Sequence, residues 1–150
     1  MELRHDMLTH GVNIVAAAHE GKVMGLAVAW ATQIATNRIL ICVGKQSATR
    51  DLILESGAFG LSLLARQHLD IARSFGLQSS RNVDKFKDAP YHTYQTGSPL
   101  LDDCATWFDC RVEDVFDVEG DEKLIVGRII GMESVMTEFK PLIYRQDDYE

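Results

Sequence analysis

The sequence lacks the patterns that mark most metal, nucleophile and dinucleotide sites. It holds three cysteines and five histidines, but no CxxC, HxH or HExxH spacing occurs, so a metal site is not expected. A GxSxG segment, which would present a serine nucleophile, is also missing. The absence of GxGxxG and of a βαβ rhythm argues against a Rossmann domain. The sequence therefore predicts neither metal ligands nor a catalytic side chain.

Positive charge and long apolar runs are equally scarce. The chain contains 15 Lys and Arg residues and 22 Asp and Glu residues, which gives a net charge of -7. Nucleic acids and anionic membranes are bound by clustered positive charge, so neither partner is expected. No apolar run approaches the roughly 18 residues that cross a bilayer, and no apolar signal core begins the chain. An odd, unpaired set of cysteines fits a cytoplasmic protein with reduced thiols.

Most of the recognisable patterns in the sequence are typical of β-strands. Apolar runs with alternating or β-branched residues are separated by turn signals such as Glu20-Gly21-Lys22 and Thr36-Asn37-Arg38, which predict hairpins. Predicted strands cover 12–19, 23–35, 39–43, 58–64, 105–118, 123–135 and 141–144, and short helices cover 51–55 and 67–75. Many antiparallel strands with only two short helices predict a mainly β fold, a small β-barrel formed by one domain over residues 1–150.

The same patterns predict which side chains face the core. Residues 27–31 carry only alanine, valine and tryptophan, so both faces of that segment are expected to be covered. Alternation places Cys42 and Cys110 on inward faces, and it places Phe116 on the face of Cys110. Gly76 is predicted to end the second helix.

The segment from Gly44 to Arg50 reads Gly-Lys-Gln-Ser-Ala-Thr-Arg and precedes the first predicted helix. A helix N-terminus offers unpaired N–H groups to anions. Ser47 and Thr49 add hydroxyls there, while Lys45 and Arg50 add positive charge, a combination that suits a phosphate monoester. A simple N-cap beside two solvated cations fits the spacing equally well. A second polar and basic cluster lies within the long segment 76–99, and loops of that size commonly carry function. Taken alone, the cluster fits an ordinary surface loop better.

Seven segments follow one another along most of the chain. They are Gly-Val-Asn-Ile-Val at 11–15, Met-Gly-Leu-Ala-Val-Ala-Trp-Ala-Thr-Gln at 24–33, Gly-Lys with a later Thr at 44–49, Glu-Ser-Gly-Ala-Phe at 55–59, Ala-Arg-Ser-Phe-Gly at 72–76, Gln-Ser-Ser-Arg-Asn-Val-Asp-Lys-Phe at 78–86 and Pro-Leu-Ile-Tyr at 141–144. Their order and spacing resemble the flavin reductase-like family, whose fold is an antiparallel, Greek-key-like FMN-binding split β-barrel.

The resemblance implies one flavin reductase-like domain that holds FMN, in preference to FAD, near a homodimer interface to which Trp30 or Phe116 contributes. NADH or NADPH would be the transient electron donor, and free flavin or a redox partner protein would be the acceptor. The implied cofactor-binding residues are Gly25, Leu26, Ala27, Val28, Ala29, Trp30, Thr32 and Gln33 along the ring and ribityl chain, Lys45, Ser47, Thr49 and Arg50 around the phosphate, and Ser80, Arg81 and Lys85 from the long loop.

The chain departs from the family pattern at Ala27 and Ala29, where many members carry Thr and Ser. Two side-chain hydrogen bonds to a flavin are therefore lost, although backbone donors remain. This departure favours the alternative of an FMN-binding electron-transfer module without significant NAD(P)H activity. A split barrel that binds no flavin is the third reading of the sequence.

Overall fold

A computed structural model describes residues 1–44, 47–78, 84–118 and 120–150. Its strands are β1 (Asn13–His19), β2 (Lys22–Val28), β3 (Ala31–Ala35), β4 (Arg38–Gly44), β5 (Ala58–Leu63), β6 (Tyr91–His92), β7 (Leu100–Leu101), β8 (Thr106–Asp117) and β9 (Glu122–Ser134). Its α-helices are α1 (Ala48–Ser56) and α2 (Leu69–Leu77), and 3₁₀ turns cover Arg66–His68 and Gln146–Tyr149. Seven strands form one antiparallel sheet in the order β2-β1-β5-β8-β9-β4-β3, while β6 and β7 pair separately.

The connection between β2 and β3 gives the sheet its shape. These two strands are the edges of the seven-stranded sheet, yet only Ala29 and Trp30 separate them in the chain. The sheet must therefore curl until its edges meet at this link, where the Cys42 N–H donates to the carbonyl oxygen of Trp30 over 2.9 Å. Beyond the link the edges diverge and the sheet stays open. The predicted antiparallel split β-barrel is thereby confirmed.

The core has two parts because β1 is buried on both faces. Val15 and Ala17 pack inside the barrel with the aliphatic residues of β4 and with Ile53 of α1. Ile14 and Ala16 pack on the other side, against α2 and the segment that carries β7. Both layers are apolar, so β1 fixes the position of each helix relative to the sheet.

Helix α1 begins and ends at capping residues that the sequence indicates. The sequence offers Ser47 or Thr49 as the N-cap. The Ser47 hydroxyl accepts a hydrogen bond of 3.2 Å from the Arg50 N–H, so Ser47 is the N-cap and Thr49 lies within the helix. Gly57 takes the left-handed conformation with φ 71° and donates its N–H to the Ile53 carbonyl. A residue with a side chain is strained in that conformation, so glycine is favoured there.

Two predictions about side-chain direction were wrong. In β4 the buried side chains are Ile39, Ile41 and Val43, so Cys42 lies on the opposite, partly exposed face. Phe116 is 52% exposed, because irregularities in the β8–β9 pairing interrupt the simple alternation from Cys110.

Other predictions fail at the ends of elements. Gly76 lies within α2 instead of ending it, since the helix continues to Leu77. The sequence predicts that residues 27–31 are covered on both faces, but β2 ends at Val28 and Trp30 is 39% exposed. The predicted last strand is reduced to isolated bridges that pair Gly11 with Ile143 and Ala65 with Pro141. No helix among the described residues is long and apolar enough to cross a membrane.

Gly60 provides a direct test of the packing between β5 and the segment before β7. A Cβ atom at Gly60 would lie 2.3 Å from the carbonyl oxygen of Pro99, a backbone atom that cannot rotate away. We expect Gly60→Ala to lower the free energy of unfolding by about 2 kcal/mol, measured by denaturant titration. Gly11→Ala is the control, because its Cβ would meet no atom closer than 3.7 Å. Equal stability of the two variants would contradict this packing.

Candidate functional site

A large cleft opens where β2 diverges from the rest of the sheet. It has a volume of about 580 Å³ and lies between β2, the first turn of α1 and the last turn of α2. Its lining consists of Leu26, Ala27, Gly44, Ser47, Ala48, Thr49, Phe75, Gly76, Leu77, Gln78, Lys85, Asp121 and Glu122. The volume falls within the range of about 300–1,000 Å³ that is usual for small-molecule sites.

Two smaller cavities adjoin this cleft along β2. One, of about 190 Å³, is lined by residues 26–30 together with His5, Cys42, Val43, Gly44 and Tyr144. The other, of about 140 Å³, is lined by Val12, Ala27, Ala29, Gly76, Tyr144 and Tyr149. Ala27 lines all three cavities, so together they form one trough, which we call the β2 trough.

The backbone of β2 supplies polar groups to this trough. On one side β2 pairs with β1, and none of the described strands pairs with its other side. The carbonyl of Gly25 points to the free side, since it accepts a hydrogen bond from Lys85. In an antiparallel strand every second residue turns both its N–H and its C=O to the same side. Ala27 therefore also presents its N–H and C=O to the free side, where a ligand can pair with them.

The N-terminus of α1 forms the polar end of the trough. Ser47 and Thr49 line the main cleft, beside the first turn of α1, whose N–H groups have no acceptor within the helix, although that of Arg50 is bonded to the Ser47 hydroxyl. Arg50 is only 7% exposed and lies behind this wall, where its Nη1 donates to the Asp121 carbonyl over 2.8 Å. Its Nε is buried and has no partner among the residues that the structure describes. A buried, incompletely paired cation behind a helix N-terminus favours an anion in front of it.

Lys85 holds two walls of the trough together. Its ammonium donates to the Gly25 carbonyl over 2.9 Å and to the Phe75 carbonyl over 2.8 Å. The side chain is 7% exposed, and burial lowers the pKa of Lys85 to about 8. Lys85 thus lines the cleft, as the resemblance implies, but two of its three donors hold β2 against the end of α2.

The remaining predicted site residues divide into four groups. Val28, Ala29 and Trp30 lie along the β2 trough, and the indole N–H of Trp30 donates to the His5 carbonyl over 3.3 Å. Gly25 is buried beneath Phe75 and Phe86 and lines none of the three cavities. Gln33 instead lines a separate cavity of about 140 Å³ beside Ile39 and Phe108, to which Thr32 also contributes. Lys45, Ser80 and Arg81 lie outside the described residues.

Sequence reasoning missed several residues of the trough. Asp121 and Glu122 enter it from the β8–β9 turn, while His5 and Tyr149 enter it from opposite ends of the chain. No local pattern marks these positions, because folding alone brings them to β2. Two carboxylates near the polar end also make this site more acidic than the Gly44–Arg50 segment suggests.

An open antiparallel split barrel with one trough along its free edge is the structural class that these features define. The model of the family described as "Flavin reductase like domain" matches residues 3–150, and the chain belongs to this family. The predicted family is confirmed.

Relatives and solved structures carry names consistent with that family. The chain is 31% identical over 121 residues to an "NADH-dependent flavin reductase StyB" of Pseudomonas fluorescens, covering 79% of this chain and 68% of that protein. It is 27% identical over 128 residues to a "Probable flavin reductase" of Rhizobium meliloti, covering 83% of this chain but only 40% of that relative. A solved homologue of nitrilotriacetate monooxygenase component B from Mycobacterium thermoresistibile superposes with a TM-score of 0.82 at 29% identity, covering 91% of this chain and 76% of that one.

The buried ammonium of Lys85 predicts a characteristic dependence of stability on pH. Its pKa in the folded protein is about 8, below the ordinary 10.5, so the folded state loses this proton first as pH rises. The free energy of unfolding of the wild type should therefore rise relative to that of Lys85→Met between pH 8 and about 10.5, by at most about 1.4 kcal/mol per pH unit.

Denaturant titrations at pH 7.5, 9 and 10 measure this difference. The exposed Lys87 supplies the control, and Lys87→Met should follow the wild type throughout. The relevant quantity is the free energy of unfolding of the wild type minus that of Lys85→Met. If this difference stays constant or falls as pH rises, the buried position of the ammonium is contradicted.

Proposed function

We propose that residues 1–150 form a single FMN-binding domain that acts as an NAD(P)H-dependent flavin oxidoreductase. The observation that carries the proposal is the β2 trough, which joins an anion-favouring helix N-terminus to a narrow apolar channel with free backbone donors and acceptors. A flavin mononucleotide has the matching parts in the matching order: a phosphate, a flexible chain and a flat heterocycle with amide-like edges.

The polar end of the trough fits the phosphate. Ser47 and Thr49 would hold it together with the free N–H groups of α1, while the incompletely paired Arg50 adds positive charge from behind. Gly44 leaves the space open, since a Cβ there would meet no atom within 4 Å. Lys45, Ser80 and Arg81 are proposed to complete this end on the basis of the sequence.

The other end of the trough fits the heterocycle. The N–H and C=O of Ala27 would pair with the amide-like edge of the ring, as one strand pairs with another. Leu26 and Trp30 would cover the ring with apolar surface, and the small side chains of Ala27 and Ala29 leave room beside the backbone. FMN is proposed in preference to FAD because the resemblance to the family implies it.

Bound FMN would supply the redox chemistry, by taking a hydride from NADH or NADPH and passing electrons onward. The chain's own residues would bind the cofactor, orient its ring and exclude water from the channel. Lys85 would keep the channel at a fixed width by holding β2 to α2. Because the cofactor would supply the redox chemistry, no side chain of the protein would need to act as a general acid or base.

Free flavin or a redox partner protein is the proposed electron acceptor. Support comes from names of relatives: one is an NADH-dependent flavin reductase, and another is the reductase subunit of a flavin-dependent monooxygenase. We also propose a cytoplasmic homodimer. The exposed Trp30 and Phe116 would be buried between its subunits, because large exposed apolar side chains are usual at such interfaces.

The second candidate is an FMN-binding electron-transfer module without significant NAD(P)H activity. The observation that favours it is the absence of hydroxyls at Ala27 and Ala29, which line the channel side by side. With fewer side-chain contacts to the ring, the protein would bind FMN but would control its reactivity less.

Two measurements on purified protein test the proposal. We expect the protein to take up added FMN, seen as quenching of flavin fluorescence, and to lose its yellow colour within seconds when NADH or NADPH is added anaerobically. FMN uptake without reduction would favour the electron-transfer module. Failure to bind FMN at micromolar concentrations would overturn both candidates.

The phosphate assignment makes its own prediction. Charge-assisted hydrogen bonds contribute about 1.5–3 kcal/mol each, so the double variant Lys45→Ala with Thr49→Ala should bind FMN at least about tenfold more weakly. Riboflavin, which lacks the phosphate, should bind this variant as it binds the wild type. Lys87→Ala removes an exposed cation elsewhere and serves as the control. A parallel loss of riboflavin affinity would show that the phosphate lies elsewhere.

A further inference from the structure

The interior of the barrel is not filled at the end far from α1. Helix α1 connects the end of β4 to the start of β5. Ile39, near the start of β4, and Leu63, at the end of β5, instead line a cavity of about 140 Å³, which we call the barrel-mouth cavity. Its other lining residues are Asn13, Ala31, Thr32, Gln33, Leu61, Phe108 and Ile129. These described residues are all different from those that line the β2 trough.

Packed side chains give this cavity firm walls. Ile39 and Leu61 are buried in the barrel core, and Ala31, Phe108 and Ile129 pack against that core. They belong to β3, β4, β5, β8 and β9, which are all strands of the seven-stranded sheet. Because the strand framework forms the cavity, a ligand does not have to open it, and little of the binding free energy is lost to rearrangement.

The walls offer few partners to water. A space of about 140 Å³ has room for about four water molecules at about 30 Å³ each, and each buried water needs about two to four polar partners. Of the described lining residues, Asn13, Thr32 and Gln33 are the ones with polar side chains. The amide of Asn13 already donates to the Val28 carbonyl over 3.2 Å, and that of Gln33 donates to the Thr36 carbonyl over 3.1 Å. Water is therefore held weakly, and an apolar group that displaces it gains affinity.

The lining also determines the charge and size of a suitable ligand. None of the described residues around the cavity is charged, so a charged ligand would lose its hydration without gaining an ion pair. An apolar cavity of about 150 Å³ lined by Leu, Ile and Phe holds benzene, and the ring of Phe108 offers an aromatic contact to a second ring. Thr32 and Gln33 are exposed, so a ligand can enter from their side.

We propose that the barrel-mouth cavity is a second small-molecule site, which binds an uncharged aromatic compound with a single six-membered ring. The ring would lie between Ile39, Leu61, Phe108 and Ile129, in contact with the apolar walls. The proposal goes beyond the proposed function and does not rest on it, because the described residues that line this cavity and the β2 trough do not overlap.

Thermal unfolding with benzene as the probe tests the proposal. A dissociation constant of about 1 mM is reasonable for a ligand of six non-hydrogen atoms. Benzene at about 10 mM should therefore raise the Tm of the flavin-free wild type by about 3 °C. Benzoate, which has the same ring and a negative charge, is the control ligand and should leave Tm unchanged. No shift with benzene, or an equal shift with benzoate, would overturn the inference.

Ala31→Leu tests the location of the site, since the added side-chain carbons fill part of the cavity. We expect at least about tenfold weaker benzene binding, so that benzene at about 10 mM raises Tm by about 1 °C or less. Ala35→Leu is the matched control and should keep the wild-type shift, because Ala35 lies at the exposed end of the same strand and outside the cavity. Equal shifts in the two variants would show that benzene binds elsewhere.

Nuclear Overhauser effects in the wild type locate the ligand without any substitution. Benzene protons should show contacts with the methyl groups of Ile39, Leu61 and Ile129, which line the cavity. Contacts confined to Leu26 or Leu77 would place benzene in the β2 trough. That result would overturn the inference and leave the proposed function intact.

Discussion

The two-residue link Ala29–Trp30 is the constraint on which the rest of the structure depends. It joins the two edge strands of one seven-stranded sheet, so the sheet has to curl until those edges touch. Because the edges touch only at the link, β2 runs away from β4 with its outer side unpaired. Closure would have given every backbone group of β2 a partner within the sheet. The open edge instead leaves the N–H and C=O of Ala27 to a ligand, and the helices that cover the core on either side become the walls of the trough.

The residues around the open edge of β2 give the trough one polar end and one apolar end. The capped N-terminus of α1 and the buried Arg50 make one end attractive to anions, while alanine and aromatic side chains make the other end apolar. Lys85 prevents the walls from separating, since its ammonium is bonded to a strand on one side and to a helix on the other. The proposed binding of a flat cofactor with a phosphate tail would then require little rearrangement, which would favour affinity because few groups would be ordered on binding.

Local sequence patterns and the family resemblance together were enough for most of the fold. The hairpin at Glu20-Gly21-Lys22, the caps of α1 and the split-barrel class follow from alternation, glycine placement and family resemblance. Patterns failed where residues distant in sequence contribute to the outcome. The pattern predicts a helix end at Gly76, but Gly76 lies within α2 and its missing side chain leaves room for the Tyr149 ring. The pattern predicts Cys42 in the core, but its neighbours Ile41 and Val43 are the residues that point inward. The structure brings the predicted residues 26–30, Ser47 and Thr49 to one trough, and their part in cofactor binding stays a prediction. The carbonyl partners of Lys85 could not be foreseen, because they depend on contacts between elements far apart in sequence.

A crystal structure of the protein with FMN tests the central claim most directly. The account predicts electron density for one FMN along the β2 trough, with its phosphate within hydrogen-bond distance of Ser47 or Thr49 and its ring edge within hydrogen-bond distance of the Ala27 backbone. Density at the cavity of about 410 Å³ lined by Leu8, Thr9 and Leu40, or a phosphate far from the N-terminus of α1, would contradict it.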